Sequence, residues 1–183
     1  MINFINLISY KKILESNMTH ILLINTSLNQ DNGHSSQLAN QLAQHLSLKY
    51  QATVDKQDLS TQDLPHLTNA EMGAWMTETN ERTEAQHTLA KISDTYIAQV
   101  KRADTIIIGM PMYNFGVPST FKAWADRVAR AGITFEYTAQ GPKGLLQDKK
   151  VIIVAARGGI YQGTPKDTQT HYLQDFFGFI GIT

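Results

Sequence analysis

Short apolar runs alternate along this chain with segments whose apolar residues recur at helical spacing. The run HILLINTS at 20–27 is continuously apolar and ends in polar turn formers, as a fully buried parallel strand does. TIIIG at 105–109 and VIIVAA at 151–156 have the same character. ATVDKQDL at 52–59 is more polar and is predicted to lie nearer an edge of the sheet. These runs predict four strands.

Four helices are predicted between and after these strands. The first covers 36–50, where leucines recur every four positions. The second and third are marked by apolar residues at helical spacing: Leu89, Ile92, Tyr96 and Val100, then Phe121, Trp124, Ala125 and Val128. The segment 170–181 is predicted to form the last helix, and 61–83 a long connection with only weak structure of its own.

The alternation of strand and helix is typical of an α/β fold, a doubly wound parallel sheet with helices on both faces. Right-handed crossovers leave few topologies for such a sheet. Ligands bind beyond the carboxyl ends of its strands, where the strand order reverses. The candidate site therefore lies in the loops that follow the first, third and fourth strands.

The first of these loops, TSLNQDNGHSSQ, combines hydroxyl groups with a helix N-terminus. Ser27, Ser35 and Ser36 offer hydroxyl donors, and Gly33 is expected to allow an unusual backbone angle. Together with free helix N–H groups, they suit a phosphate monoester, although the loop has no lysine or arginine. The loop matches neither GxGxxG nor GxxxxGK[ST], which argues against a dinucleotide fold and a P-loop NTPase. The alternative is that Ser35 or Ser36 only caps the helix.

The second loop, MPMYNFGVPS, places a thioether, two aromatic rings and an amide at the end of the third strand: Met112, Tyr113, Asn114 and Phe115. A flavin ring needs such a surface, with apolar contacts on its faces and amide groups along its polar edge. Pro118 then lies where a helix can begin. The alternative is a tight turn whose aromatic side chains pack into the core.

The third loop, ARGGIYQG, follows the fourth strand. Gly158 and Gly159 allow backbone N–H groups to approach a ligand without an intervening Cβ. Donors aimed at the N1/O2 edge of a flavin would stabilise the negative charge that develops there on reduction. Arg157 either adds charge at this point or pairs with an acid elsewhere. A pair of glycines is unspecific on its own.

Composition narrows the possible partners and chemistry. Sixteen basic and sixteen acidic residues give no net charge, which removes the usual electrostatic motive for binding nucleic acid or an anionic membrane. The same balance counts against a strongly acidic one-electron carrier. The chain has no cysteine, so disulfides, thiolate catalysis and cysteine-ligated metals are excluded. Absence of cysteine is compatible with a reducing cytoplasm, where we expect the protein to reside.

Other common catalytic and targeting patterns are missing from the sequence. The six histidines have no spacing typical of a metal site, and only His34 lies in a loop where it could touch a ligand. There is no GxSxG of a hydrolase and no apolar run of the roughly 18 residues that span a bilayer. Residues 1–18 lack the order of a secretory signal. We expect them to be a disordered extension or an over-long start, with the flavin-binding domain covering 19–183.

Several segments in the same order resemble the FMN-dependent NADH-azoreductases, also described as NADH:quinone oxidoreductases, of the flavodoxin-like superfamily. The resemblance runs from about Ile21 to Thr183 and is strongest in PMYNF, VARAGITFEYTAQGPKGL, RGGI and FFGFIGIT. It implies a homodimer with one FMN per subunit at the subunit interface. It also implies ping-pong transfer of two electrons, in which NADH reduces FMN and leaves before a quinone or an azo compound accepts the electrons.

The resemblance also assigns residues. The FMN contacts fall on Ser27, on Gly33, His34 and Ser35, on Met112, Tyr113, Asn114 and Phe115, and on Ala156, Arg157, Gly158 and Gly159. Tyr137 matches an aromatic residue that is expected to reach the partner subunit's site. No catalytic side chain is assigned, because the hydride chemistry belongs to the flavin.

Three departures from the family pattern bear on these expectations. Gly33 stands where relatives often have serine, and Ala156 replaces the serine of SRGG. The sequence stops at GIT, whereas the family continues into a fifth strand and a final helix, so we expect a truncated chain with an exposed sheet edge. The missing end raises one alternative to the enzyme, a folding-impaired fragment that binds little flavin. A second alternative is a flavodoxin-type electron carrier, which the neutral charge and the aromatic second loop disfavour.

Overall fold

The computed structural model describes residues 18–182. Its strands are β1 (His20–Asn25), β2 (Thr53–Asp58), β3 (Thr105–Pro111), β4 (Phe135–Thr138), β5 (Gly141–Gly144) and β6 (Lys150–Ala156). Its helices are α1 (His34–Tyr50), α2 (Asn69–Met76), α3 (Glu84–Arg102), α4 (Ser119–Val128) and α5 (Thr168–Phe179). Apart from Met18, which is buried, the predicted extension lies outside the described residues.

The main sheet has the strand order β2-β1-β3-β6, and all its strands are parallel. The four predicted strands and their doubly wound arrangement are confirmed, and the more polar β2 lies at an edge as predicted. The chain moves from β1 outward to β2 and then crosses to β3 on the other side of β1. The order therefore reverses between β1 and β3, which is where a doubly wound sheet binds its ligand.

Alternating side chains of the buried strands fill two separate cores. Leu22 and Ile24 of β1 face the side covered by α3, α4 and α5, where Phe121 and Trp124 are almost fully buried. Ile21, Leu23 and Ile107 face the opposite side, which α1 covers. Because successive residues of a strand point to opposite faces, a strand buried on both faces needs an unbroken apolar run. The runs in the sequence meet that requirement.

The connection 61–83, expected to have only weak structure, contains the helix α2, so that expectation was wrong. Thr68 accepts a hydrogen bond from the N–H of Glu71, and the Glu71 side chain accepts one from the N–H of Thr68, which forms a capping box. The carboxylate of Glu71 is also paired with the buried guanidinium of Arg127 at 2.8 Å. Tertiary contacts from α4 therefore fix a helix that has little apolar pattern of its own.

A small antiparallel hairpin, β4–β5, packs against the end of α5. The backbones of Gly144 and Gly181 touch, since a Cβ on Gly144 would lie 2.0 Å from the nitrogen of Gly181. The N–H of Leu146 donates to the carbonyl of Ile180 over 2.9 Å. Within residues 18–182, no helix combines the length and the apolar character needed to cross a membrane.

Candidate functional site

The three loops singled out from the sequence meet at the carboxyl edge of the sheet. The backbone N–H of Leu28, in the first loop, donates to the hydroxyl of Tyr113 in the second over 3.1 Å. The N–H of Met112 donates to the carbonyl of Ala156, at the end of β6, over 2.9 Å. Direct hydrogen bonds thus join the loop after β3 to both of its neighbours.

Position 33, just before α1, has no room for a side chain, whereas its backbone angles do not require glycine. Its φ of −71° and ψ of 135° are ordinary extended values, so the expectation of an unusual angle was wrong. A Cβ at this position would lie 2.2 Å from Oγ and 2.6 Å from Cβ of Ser27. Glycine therefore lets the first loop fold tightly over Ser27, which is itself buried.

The first turn of α1 contains two buried hydroxyl groups with nothing to bind within the described part of the chain. Ser35 and Ser36 are at most 1 % exposed, and the Oγ atoms of both lack a hydrogen-bond partner. The N-cap position is Gly33, and no side chain caps the helix, so the cap-only alternative for Ser35 and Ser36 was wrong. His34 begins the helix and is exposed. Unpaired hydroxyls beside free helix N–H groups make a cradle for an anion.

Close packing places this cradle directly over the sheet. A Cβ on Gly109 of β3 would lie 2.9 Å from the carbonyl oxygen of Ser35 and 3.0 Å from Oδ1 of Asn25. Glycine at position 109 thus allows α1 to approach the strand.

Near the cradle, the amine of Lys56 lies 2.7 Å from Asp31, and this hydrogen bond lowers the pKa of the Asp31 carboxyl. The pairing reduces the repulsion that Asp31 would exert on a bound anion.

The second loop is a type I′ turn with an unusual sequence. Tyr113 and Gly116 exchange backbone hydrogen bonds of 3.2 and 2.9 Å, and the two residues between them, Asn114 and Phe115, have φ of 49° and 65°. Asparagine tolerates such angles, whereas phenylalanine rarely adopts them. Phe115 is 51 % exposed, so the alternative in which the aromatic residues of this turn pack into the core was wrong for it. A strained turn with an exposed ring is characteristic of a binding surface.

The third loop leaves its backbone accessible and turns its charged side chain inward. A Cβ on Gly158 would meet nothing within 4 Å. The guanidinium of Arg157 lies 2.9 Å from the buried carboxylate of Asp167, so the alternative in which it pairs with an acid elsewhere is the one observed. This loop therefore exposes its backbone at Gly158 and does not present a free cation.

A cavity of about 520 Å³ adjoins the third loop. Its lining combines apolar, aromatic and basic groups: Gly159, Ile160, Tyr161, Thr164, Pro165 and Lys166. The ring of Tyr161 meets that of Phe115 edge to face, with centroids 5.9 Å apart. Through Tyr161, the cavity thus reaches the exposed turn after β3, and its lining offers an aromatic ring beside apolar surface.

Comparison with known proteins identifies the family. The family model described as "flavodoxin-like fold" matches residues 19–183. The chain belongs to this flavodoxin-like family. A relative from Pseudoalteromonas atlantica, named FMN-dependent NADH:quinone oxidoreductase, is 54% identical over 91% of this chain and 82% of its own length. One of the same name from Alteromonas mediterranea is 51% identical over 91% of this chain and 83% of its own length.

Solved structures give the same result. An azoreductase from Bacillus anthracis superposes with a TM-score of 0.80 at 28% identity, covering 91% of this chain and 83% of its own. An FMN-dependent NADH-azoreductase from Bacillus anthracis, solved in complex with FMN, superposes with a TM-score of 0.80 at 26% identity, covering 90% of this chain and 83% of its own. The family resemblance and the flavodoxin-like fold read from the sequence are therefore confirmed.

One predicted residue of this flavodoxin-like chain lies outside the three loops. Tyr137 is on β4 of the small hairpin and is 76 % exposed. Its ring packs edge to face on Phe135, with centroids 5.4 Å apart. Phe135 packs in turn against Phe179 of α5, with centroids 4.2 Å apart and the rings tilted by 45°. The aromatic row anchors the hairpin while Tyr137 projects into solvent.

Sequence reasoning missed a polar group behind the site. Gln169, in the first turn of α5, is fully buried. It hydrogen-bonds the end of β3 at Pro111, the loop after β3 at Gly116 and the side chain of Arg157. A glutamine near the start of a helix carries no recognisable signal, because its partners are distant in sequence. Among residues 18–182, no group of three or more histidine or acidic side chains is placed to hold a metal ion.

Proposed function

We propose that this chain is an FMN-dependent NADH:quinone oxidoreductase that also cleaves aromatic azo compounds to amines. The observation that carries the proposal is the pair of buried, unpartnered serine hydroxyls at the N-terminus of α1, beside a strained turn that exposes an aromatic ring. Relatives at 51 to 54% identity are named FMN-dependent NADH:quinone oxidoreductase, and the structural neighbours include azoreductases.

The residues present fit the phosphate of FMN. Buried hydroxyls of Ser35 and Ser36 would each otherwise be left without a partner, at a cost of roughly 1–3 kcal/mol per group. Rotation of these side chains about χ1 would bring their hydroxyls within reach of a phosphate oxygen as the partner, and the helix dipole favours its negative charge. Ser27 and the N–H groups of His34 and Ser35 complete the proposed phosphate contacts.

The other two loops fit the flavin ring. We propose contacts from Met112, Tyr113, Asn114 and Phe115 on one side, and from Ala156, Arg157, Gly158 and Gly159 on the other, with Arg157 contributing its backbone. Because Gly158 has open space where a Cβ would be, its N–H can come close to the polar edge of the ring.

When bound, FMN supplies the two-electron chemistry, and the protein orients the reactants around it. For a quinone, one NADH and one proton give NAD⁺ and the hydroquinone. For an azo bond, two NADH and two protons are needed to convert the N=N group to two amines. The cavity lined by Tyr161 and Ile160 is the proposed binding place for these flat molecules.

We further propose that two copies form a homodimer with one FMN per subunit, and that Tyr137 reaches the partner's site. The exposed ring of Tyr137, anchored through Phe135, supports this role. An NADH-dependent reductase of this kind is expected in the cytoplasm, where NADH is present. Sedimentation velocity of the FMN-loaded protein tests the dimer directly, and a monomer would contradict it.

An anaerobic absorbance titration tests the activity. The purified chain is saturated with FMN and passed over a desalting column, then given one equivalent of NADH, then a benzoquinone. We expect loss of the flavin absorbance near 450 nm with NADH and its return with the quinone. Retained flavin that NADH does not reduce would instead support a flavodoxin-type carrier. Failure to retain flavin would support a folding-impaired fragment.

Replacing Tyr137 with alanine tests its proposed reach into the partner's site. We expect Tyr137→Ala to bind FMN as the original protein does and to raise the KM for a quinone several-fold, because the loss is confined to the acceptor contact. Lys143→Ala is the matched control, since Lys143 lies across the same hairpin and only pairs with Glu136. An unchanged KM in the Tyr137 variant would reject this role.

A further inference from the structure

A single buried amide spans the loop that follows β3. The Nε2 group of Gln169 donates to the carbonyl of Pro111 over 2.9 Å and to the carbonyl of Gly116 over 3.1 Å. These two acceptors mark the start and the end of the segment containing Met112, Tyr113, Asn114 and Phe115. Gln169 is 0 % exposed, so water cannot replace either bond.

The orientation of this amide is fixed from its other end. The Nε–H of Arg157 donates to Oε1 of Gln169 over 3.2 Å, which leaves the amide nitrogen directed at the two carbonyls. The guanidinium itself is anchored by Asp167 at 2.9 Å and by the hydroxyl of Thr170 at 2.8 Å. A continuous set of hydrogen bonds thus runs from the loop after β6, through Gln169, to the loop after β3.

The turn that Gln169 spans does not favour its own conformation. Phe115 has a φ of 65°, a value that costs a bulky residue conformational energy. The hydroxyl of Thr168, next to Gln169, donates to the carbonyl of Phe115 and adds a third bond from α5 to the turn. The start of α5 therefore donates hydrogen bonds to the carbonyls of Pro111, Phe115 and Gly116.

We propose that Gln169 is a positioning residue for the flavin: it holds the strained Asn114–Phe115 turn in its binding conformation before the cofactor arrives. The proposal rests on the proposed FMN site but assigns a role to a side chain that does not touch the ligand. Pre-organisation of this kind appears as affinity, because the ordering cost is met before binding.

The test compares Gln169→Met with Gln174→Met. Methionine has nearly the shape of glutamine but no N–H, and Gln174 lies exposed on the same helix. Equilibrium dialysis measures the Kd for FMN, and hydrogen exchange of the apoprotein measures the protection of the amides at 114–116. We expect Gln169→Met to weaken FMN binding by about tenfold or more and to speed exchange of those amides, with circular dichroism unchanged. Gln174→Met should leave both values unchanged.

A second substitution separates positioning from general stability. Phe115→Gly relieves the strain at φ 65° and gives the Asn-Gly sequence that favours a type I′ turn. If Gln169 acts by holding the turn, Gln169→Met should cost less FMN affinity in the Phe115→Gly background than in the original protein.

The possible results distinguish the role of Gln169 from the existence of the FMN site. Equal losses in both backgrounds, or a Gln169→Met variant that binds FMN as tightly as the original chain, would overturn the role of Gln169 while leaving the FMN site standing. Failure of the original chain to bind FMN would instead overturn the proposed function on which this role depends.

Discussion

At the scale of single residues, two glycines differ in whether the surrounding structure leaves room for a side chain. Gly33 lies where a Cβ would be 2.2 Å from Oγ of Ser27, whereas a Cβ on Gly73, in α2, would meet nothing within 4 Å. The first glycine is needed for the loop to close over Ser27, at the proposed phosphate site. The second lies inside a helix, where it only adds flexibility to the unfolded chain.

These surroundings predict effects of opposite sign. Gly33→Ala should force the first loop away from Ser27, weaken FMN binding by about tenfold or more, and destabilise the fold by about 1–3 kcal/mol. Gly73→Ala, the matched control, should stabilise it by about 0.5–1 kcal/mol and leave FMN binding unchanged. Urea denaturation and equilibrium dialysis measure the two quantities. Equal stability of the two variants would show that the contact with Ser27 does not constrain position 33.

At the scale of elements, α2 depends on a buried ion pair. Nε and Nη2 of Arg127 donate to the two carboxylate oxygens of Glu71 over 2.8 and 2.9 Å, and Nη1 donates to the carbonyl of Pro65 over 2.9 Å. The side chains of Arg127 and Glu71 are 0 % and 3 % exposed. Such a pair adds little net stability over apolar packing, but removing one partner leaves a buried charge alone.

The ion pair can be tested by removing one charge and then both. Arg127→Met should destabilise the protein by about 3–5 kcal/mol, because Glu71 would remain buried without its partner. Adding Glu71→Met should recover part of that loss, since no charge is then left unpaired. Thermal unfolding of both variants provides the comparison. A double variant less stable than Arg127→Met would show that loss of the Glu71 capping bonds to Thr68 outweighs the relief of the unpaired charge.

At the scale of the whole molecule, the sequence predicted the parts of the fold that local patterns encode. Strands such as β3 are buried on both faces, so an apolar run alone identifies them. The helix α2 escaped prediction because it is stabilised by Arg127, which is 56 residues from Glu71. Gln169 escaped for the same reason, being 58 residues from Pro111.

The candidate site shows the same division. The three loops could be placed from topology alone, since parallel strands end at one edge of the sheet. Topology could not predict the φ of 65° at Phe115 or the inward orientation of the Arg157 side chain. Both depend on contacts with the start of α5. Sequence thus locates the candidate ligand-binding edge of the sheet, whereas the conformation of its loops depends on long-range hydrogen bonds.

At the amino ends of the strands, opposite the candidate site, the Asp104 carboxylate forms a set of hydrogen bonds that is expected to depend on pH. The carboxylate accepts hydrogen bonds from the N–H and hydroxyl of Thr19, both at 2.8 Å, and from the N–H of His20 at 2.9 Å. Partial burial opposes ionisation, but these bonds and the nearby amine of Lys149 outweigh it and lower the pKa of Asp104 below its ordinary value of 3.8. These hydrogen bonds join the start of β1 to the start of β3.

A lowered pKa in the folded state gives a definite sign to the pH dependence. The stabilisation by Asp104 should be fully present above the unfolded pKa of about 3.9 and should be lost as the pH falls through the folded value. Asp104→Asn should lower Tm by about 2–4 °C at neutral pH, corresponding to about 1 kcal/mol, and the difference from the original protein should shrink below about pH 4. Asp175→Asn, which replaces an exposed carboxylate on α5, is the control for the chemical change itself. A gap for Asp104→Asn that stayed constant down to pH 3 would mean that Asp104 acts through hydrogen-bond geometry alone and not through its charge.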